Sequence, residues 1–131
     1  MLLDTSGLLC FFDADEFRHQ EAVSLFRSAE KLLTHNYVLA EFIPLCQSRR
    51  LNRLEALNFA SDLLGNVSIE VVWVNETLHR AAHALLQRRI DKTYSLCDAV
   101  SFLLMRERDL TEALTTDRHF EQEGFTRLLS S

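Results

Sequence analysis

Proline occurs once in this chain of 131 residues, glycine three times and lysine twice. So few turn formers argue against a loop-rich or disordered polypeptide. The three glycines are scattered, so there is no Gly-rich phosphate loop and a P-loop nucleotide enzyme is disfavoured. A basic excess is also missing. The formal net charge is −5, which gives no reason to expect nonspecific nucleic-acid binding by charge alone. A site built of carboxylates would itself supply part of that acidity, so a nucleic-acid substrate stays open. Cys10, Cys46 and Cys97 are odd in number, far apart and without a CxxC pair. They read as reduced, buried thiols of a cytoplasmic protein. No run reaches the roughly 18 apolar residues of a membrane helix. The opening run has no basic leader and breaks at Asp4, which is not the pattern of a secretory signal.

What is present is apolar side chain: 47% of residues are hydrophobic, enough for a sizeable core. The length suits one domain over 1–131, and there is no internal repeat or linker. Strand and helix patterns alternate. Strands are expected at 1–3, 31–35, 69–74, 112–116 and 125–129, the third rich in β-branched residues and holding Trp73 as a core side chain. Helices are expected at 7–12, 13–30, 37–50, 53–64, 76–90, 96–108 and 117–124. Asn36, Asn52, Asn75 and Ser95 stand where N-caps belong, Pro44 should kink the third helix and Gly65 should end the fourth. The expected fold is α/β, a small, mostly parallel central sheet of about five strands flanked by helices on both faces. In such sheets the site lies outside the carboxyl ends of the strands. Asp4 follows the first strand and Asp117 follows the fourth, which puts both at one edge.

Two further acids sit in apolar settings. Glu41 in "YVLAEFIPLC" shares a helix stripe with Val38 and Leu45, and Asp98 in "LCDAVSFLLM" lies on a helix that is apolar almost all round. Each acid has a structural explanation taken alone. Asp4, Asp98 and Asp117 could cap helices, and Glu41 could pair with Arg49 or Arg50. Taken together, four acids at one sheet edge without buried basic partners repel one another. A hard divalent cation such as Mg²⁺ removes that repulsion and suits a phosphate substrate.

The stretches "LLDTSGLL", "NYVLAEF", "YSLCDAVSFLLMRERDL" and "ALTTDRHFEQEGF" resemble the PIN-domain family in order and spacing over essentially the whole chain. That family includes the toxin ribonucleases of VapC-type toxin–antitoxin pairs. The resemblance implies an endoribonuclease dependent on Mg²⁺ or Mn²⁺, leaving 3′-hydroxyl and 5′-phosphate ends. It places Asp4, Glu41, Asp98 and Asp117 as the acidic, metal-holding site. Thr5, Ser6 and Thr115 fall on the small hydroxyl positions beside the acids, where Ser6 or Thr5, and Thr115, would hydrogen-bond the ligands or the phosphate. It further implies an RNA substrate and, for a toxin, an antitoxin protein that covers the site.

Phosphates of the substrate need positive groups, and Arg88, Arg89 and Lys92 before the Asp98 helix and Arg118 after Asp117 are candidates. Taken singly, each is as well explained by a solvated helix end. Arg49, Arg50 and Arg53 form a second patch, read as surface or partner-facing. His79 and His83 have zinc-ligand spacing but no third ligand, so a packed or solvated pair is expected. His119, two residues after Asp117, could touch substrate but is more simply read as a surface residue of its short helix, and Cys97 as core. Leu54, Leu57 and Leu64 share a stripe that could serve a homodimer, although core is the simpler use. Other readings are weaker. A phosphatase with an aspartyl nucleophile would want an acid where Ser6 stands. A receiver-type signalling module would want a late lysine, and only Lys31 and Lys92 exist. A non-catalytic binding module would be favoured if an acid were missing.

Overall fold

A computed structural model describes residues 1–130. Five strands form one sheet in which every pairing is parallel: β1 (Leu2–Leu3), β2 (Leu32–His35), β3 (Ile69–Val72), β4 (Glu112–Leu114) and β5 (Thr126–Arg127), in spatial order β3-β2-β1-β4-β5. The connections are helical. Helices α1 (Thr5–Phe12) and α2 (His19–Ser28) join β1 to β2, and α3 (Asn36–Ser48) and α4 (Arg53–Gly65) join β2 to β3. Helices α5 (Glu76–Arg88) and α6 (Leu96–Glu107) join β3 to β4, and α7 (His119–Gln122) joins β4 to β5. From β1 the chain winds outward to β2 and β3, then returns to the other side of β1 for β4. The switch point of the sheet therefore lies between β1 and β4, where clefts form at the strand ends.

Successive strand residues point to opposite faces, and the two central strands use this fully. Leu3, Leu32 and Leu114 pack with α1 to α4 through Leu8, Val38, Phe42 and Leu63. Leu2, Leu33 and Ala113 pack with α5, α6 and α7 through Leu85, Phe102, Met105 and Phe120. Burial on both faces explains why β1 and β2 lack polar alternation. Gly7 brings α1 against β4: a Cβ there would stand 1.8 Å from the Leu114 carbonyl oxygen. Asn52, Asn75 and Ser95 cap α4, α5 and α6 as expected, accepting from the backbone of Glu55, Leu78 and Asp98.

Several expectations need correction. The expected helix at 13–30 begins only at His19, because Asp13 Oδ1 accepts from the Asp15 amide at 3.0 Å and holds a turn instead. Asn36 does not cap α3. It is the first residue of that helix, and its Oδ1 accepts from Val74 at 2.6 Å, securing the segment after β3. Trp73 is 65% exposed, since β3 is an edge strand whose pairing with β2 stops at Val72. Leu54, Leu57 and Leu64 on α4 are exposed and not core. No helix among the described residues is long and apolar enough to cross a membrane.

Candidate active site

The carboxyl end of β1 delivers Asp4, and that of β4 delivers Thr115 and then Asp117. The β1–β4 pairing of Leu3 with Leu114 fixes the two ends side by side. Helix α3 brings Glu41 and α6 brings Asp98. These four acids, with Thr5, Ser6, Leu45, Thr93, Ser95, Thr116 and His119, line one open cleft of about 380 Å³.

The capping explanation fails for Asp4 and holds for Asp98. The Asp4 side chain makes no cap bond to α1. Its Oδ2 instead accepts from Thr115 Oγ1 at 2.7 Å, and both residues are buried. Thr115 has one hydroxyl proton, so Ser6 Oγ at 3.1 Å donates to Thr115, and the Asp117 amide donates to it at 3.0 Å. Ser6 Oγ in turn accepts from the Thr116 amide at 3.0 Å. One threonine thus fastens β1, α1 and the loop after β4. Asp98 does form a reciprocal capping box with Ser95. Its Oδ2 has a second role, lying 2.9 Å from His119 Nδ1. Asp117 Oδ1 accepts from the His119 amide at 2.9 Å.

None of the four acids meets a lysine or arginine among the described residues. Glu41 in particular is not paired with Arg49 or Arg50. Burial pushes the Asp4 carboxyl up to about 7, with the Thr115 hydroxyl opposing and the charges of Asp98 and Asp117 adding to the rise. Burial also raises Asp98, against the bonds from Ser95 and His119. Glu41 is raised by burial, opposed by the Cys97 thiol and pushed further by Asp98 and Asp117. Thr5 Oγ1 is buried at the cleft with no hydrogen-bond partner. Oxygen donors held close without a countercharge, and an unused hydroxyl beside them, fit a hard divalent cation with its waters. Asp98, Asp117 and His119 each bring one donor atom within 4.8 Å of the other two, Asp4 and Glu41 line the same cleft, and these are the residues that could hold the cation.

The basic candidates divide. Arg88 and Arg118 are exposed and free of acidic partners among the described residues. Arg89 is different: its Nε and Nη2 both bond Glu123, at 3.0 and 3.2 Å. It braces α5 against the turn after α7. Lys92 lies 3.7 Å from its neighbour Asp91. His79 Nδ1 is engaged by the Tyr37 hydroxyl, and no cluster of three metal-capable groups includes it among the described residues.

Two histidines carry more than the sequence suggested. His119, expected at the surface, stands at the acids, and its position two residues after Asp117 was the only signal. His35 is fully buried, and burial brings its ring down to about 4, so it is neutral at pH 7. Its Nε2 meets Ser101 Oγ at 2.8 Å, one turn beyond Asp98 on α6. His35 therefore sets the depth of α6 against β2.

A family model described as PIN domain matches residues 1–125. The chain is 31% identical over 129 residues to a protein named 23S rRNA-specific endonuclease VapC20, in two strains of Mycobacterium tuberculosis. The alignment covers 98% of this chain and 97% of the relative. The crystal structure of Mycobacterium tuberculosis VapC20, described as a sarcin-ricin loop cleaving toxin, superposes with a TM-score of 0.86 at 29% identity. It covers 95% of each chain.

Proposed function

Because the chain belongs to the PIN-domain family, we propose that it is a divalent-metal-dependent endoribonuclease acting as the toxin of a toxin–antitoxin pair. One observation carries the reading: Asp4, Glu41, Asp98 and Asp117 converge on one cleft with no lysine or arginine among the described residues to neutralise them. A cation of the Mg²⁺ or Mn²⁺ type, when bound, increases the acidity of water and offsets charge on the scissile phosphate.

The chain's own residues do the rest. Asp4, Asp98 and Asp117 hold the cation, and Glu41 either joins them or orients one of its waters. Thr115 keeps Asp4 in one orientation through the 2.7 Å bond. The free Thr5 hydroxyl binds a water or a phosphate oxygen at the cleft. Ser6 holds the Thr116 amide and so shapes the loop that carries Asp117. Arg88 and Arg118 contact phosphates flanking the cut. The named target of the relatives, 23S rRNA, makes ribosomal RNA the first substrate to try. The exposed leucines of α4 serve a homodimer, and an antitoxin would neutralise the site by supplying the missing positive charge.

The test is cleavage of ribosomal RNA by purified protein with Mg²⁺, Mn²⁺ or EDTA, beside Asp4→Asn and Asp98→Asn variants. Metal-dependent cutting that falls at least ~100-fold in both folded variants is expected, since each removes a carboxylate that holds the cation. Cutting that survives both substitutions would refute the assignment.

A further inference from the structure

His119 is the imidazole that lines the cleft, and an all-carboxylate site gives it no part in holding the cation. Its Nδ1 is 2.9 Å from Asp98 Oδ2 and 3.5 Å from Asp117 Oδ1. One donor atom from each of the three residues lies within 4.8 Å of the other two. Donors around one small divalent ion at about 2.1 Å stand about 3.0 Å apart when adjacent and about 4.2 Å when opposite in an octahedron. The two distances, 2.9 and 3.5 Å, lie close to the spacing of adjacent ligands.

The ring is also held in place before any ion arrives. The Tyr94 ring packs edge-on against it at 5.2 Å. The Tyr94 hydroxyl donates to Glu123 at 3.0 Å, and Glu123 is fastened by Arg89 and Arg106. Thr93 Oγ1 lies 3.1 Å from His119 Nε2. A hydroxyl can donate or accept, so it satisfies the imidazole in either tautomer.

We infer that His119 Nδ1 is a direct ligand of the bound cation, and that this nitrogen makes the site prefer ions such as Co²⁺, and to a lesser degree Mn²⁺, over Mg²⁺. Oxygen ligands alone suit Mg²⁺, whereas imidazole favours the later first-row ions. Without an ion, Nδ1 carries the ring proton and donates it to Asp98. With an ion, the ring takes its other tautomer: Nδ1 gives up its proton, Nε2 carries one, and Thr93 Oγ1 accepts from it. The inference rests on the proposed nuclease only for the presence of a cation site. Metal binding without RNA cleavage would sink the nuclease and leave the ligand assignment standing.

The experiment uses the metals alone. Mg²⁺, Mn²⁺ and Co²⁺ are titrated calorimetrically into wild type and His119→Gln, and proton spectra of the cobalt-loaded proteins are recorded. His119→Gln is expected to lose Co²⁺ affinity tenfold or more and Mg²⁺ affinity less than threefold. Wild type should show a strongly shifted imidazole resonance that the variant lacks. Equal losses for all three ions would overturn the inference and leave His119 as a residue that only orients Asp98. The wild-type spectrum decides alone should the variant not fold: a cobalt-loaded protein without the shifted imidazole resonance, or failure to bind Co²⁺, also overturns it.

Discussion

Thr115 shows how much a single residue holds at this site. It gives one hydrogen bond to Asp4 and receives one each from Ser6 and the Asp117 amide. Thr115→Val would remove all three bonds and take this partner from the Asp4 carboxylate and the Asp117 amide. A loss of about 1–3 kcal/mol is expected in urea unfolding, with most of it restored by Thr115→Ser. Asp4 carries the opposite lesson, that function here is held against stability. Its folded value near 7 lies above the 3.8 of a free aspartate, so the folded metal-free protein binds a proton more tightly than the unfolded chain. Stability without metal is therefore full below about pH 4 as far as this group is concerned, and falls as pH rises through about 7. Asp4→Asn should unfold at a higher temperature than wild type at pH 8 in EDTA while being inactive. An unchanged or lower melting temperature would contradict the burial argument.

At the scale of elements, the site depends on how closely α1 approaches β4. Gly7 permits that approach, and any side chain there meets the Leu114 carbonyl. Gly7→Ala should cost about 1–3 kcal/mol or more through overpacking. It should also lower activity beyond the loss of folded protein, because Ser6 and Thr115 move with the helix. Urea unfolding and cleavage rates on the same sample separate the two effects. A second brace ties α5, α6 and the segment after α7 together through Glu123, whose side chain is only 3% exposed and meets Arg89, Arg106 and Tyr94. Of the expected capping residues, Asn52, Asn75 and Ser95 made their helix starts legible in the sequence. The exceptions were Asn36 and the turn at Asp13, where a side chain found a better partner than the expected helix.

For the molecule as a whole, the acidic balance constrains how RNA is held. Seven of the 14 lysines and arginines pair with acids within the fold, and of the others only Arg88 and Arg118 are assigned to phosphates. RNA binding should accordingly depend weakly on salt. If Arg88 and Arg118 each contact one phosphate, replacing both by Gln should reduce the slope of log affinity against log salt by about 1.4. An unchanged slope would remove both from the interface. The exposed Leu54, Leu57 and Leu64 argue for a covered α4 face. Leu57→Glu should convert a dimer to monomer in light scattering, while a wild type already monomeric at working concentration would refute the dimer.

The sequence alone determined the fold class and the four acids. Alternating strand and helix patterns imply a parallel sheet, and carboxylates at strand ends or on apolar helix faces are rare enough to be noticed. Tertiary structure decided what those acids touch. His119 entered the site because β4 ends beside β1 and the next turn folds over Asp98, a placement that no local pattern encodes. Arg89 turned toward the fold because Glu123, thirty-four positions away, accepts from its Nε and Nη2. Trp73 lay outside the core because strand order put β3 at the edge. In each case the deciding fact is which distant residue stands opposite, and that follows from strand order and packing, not from spacing along the chain.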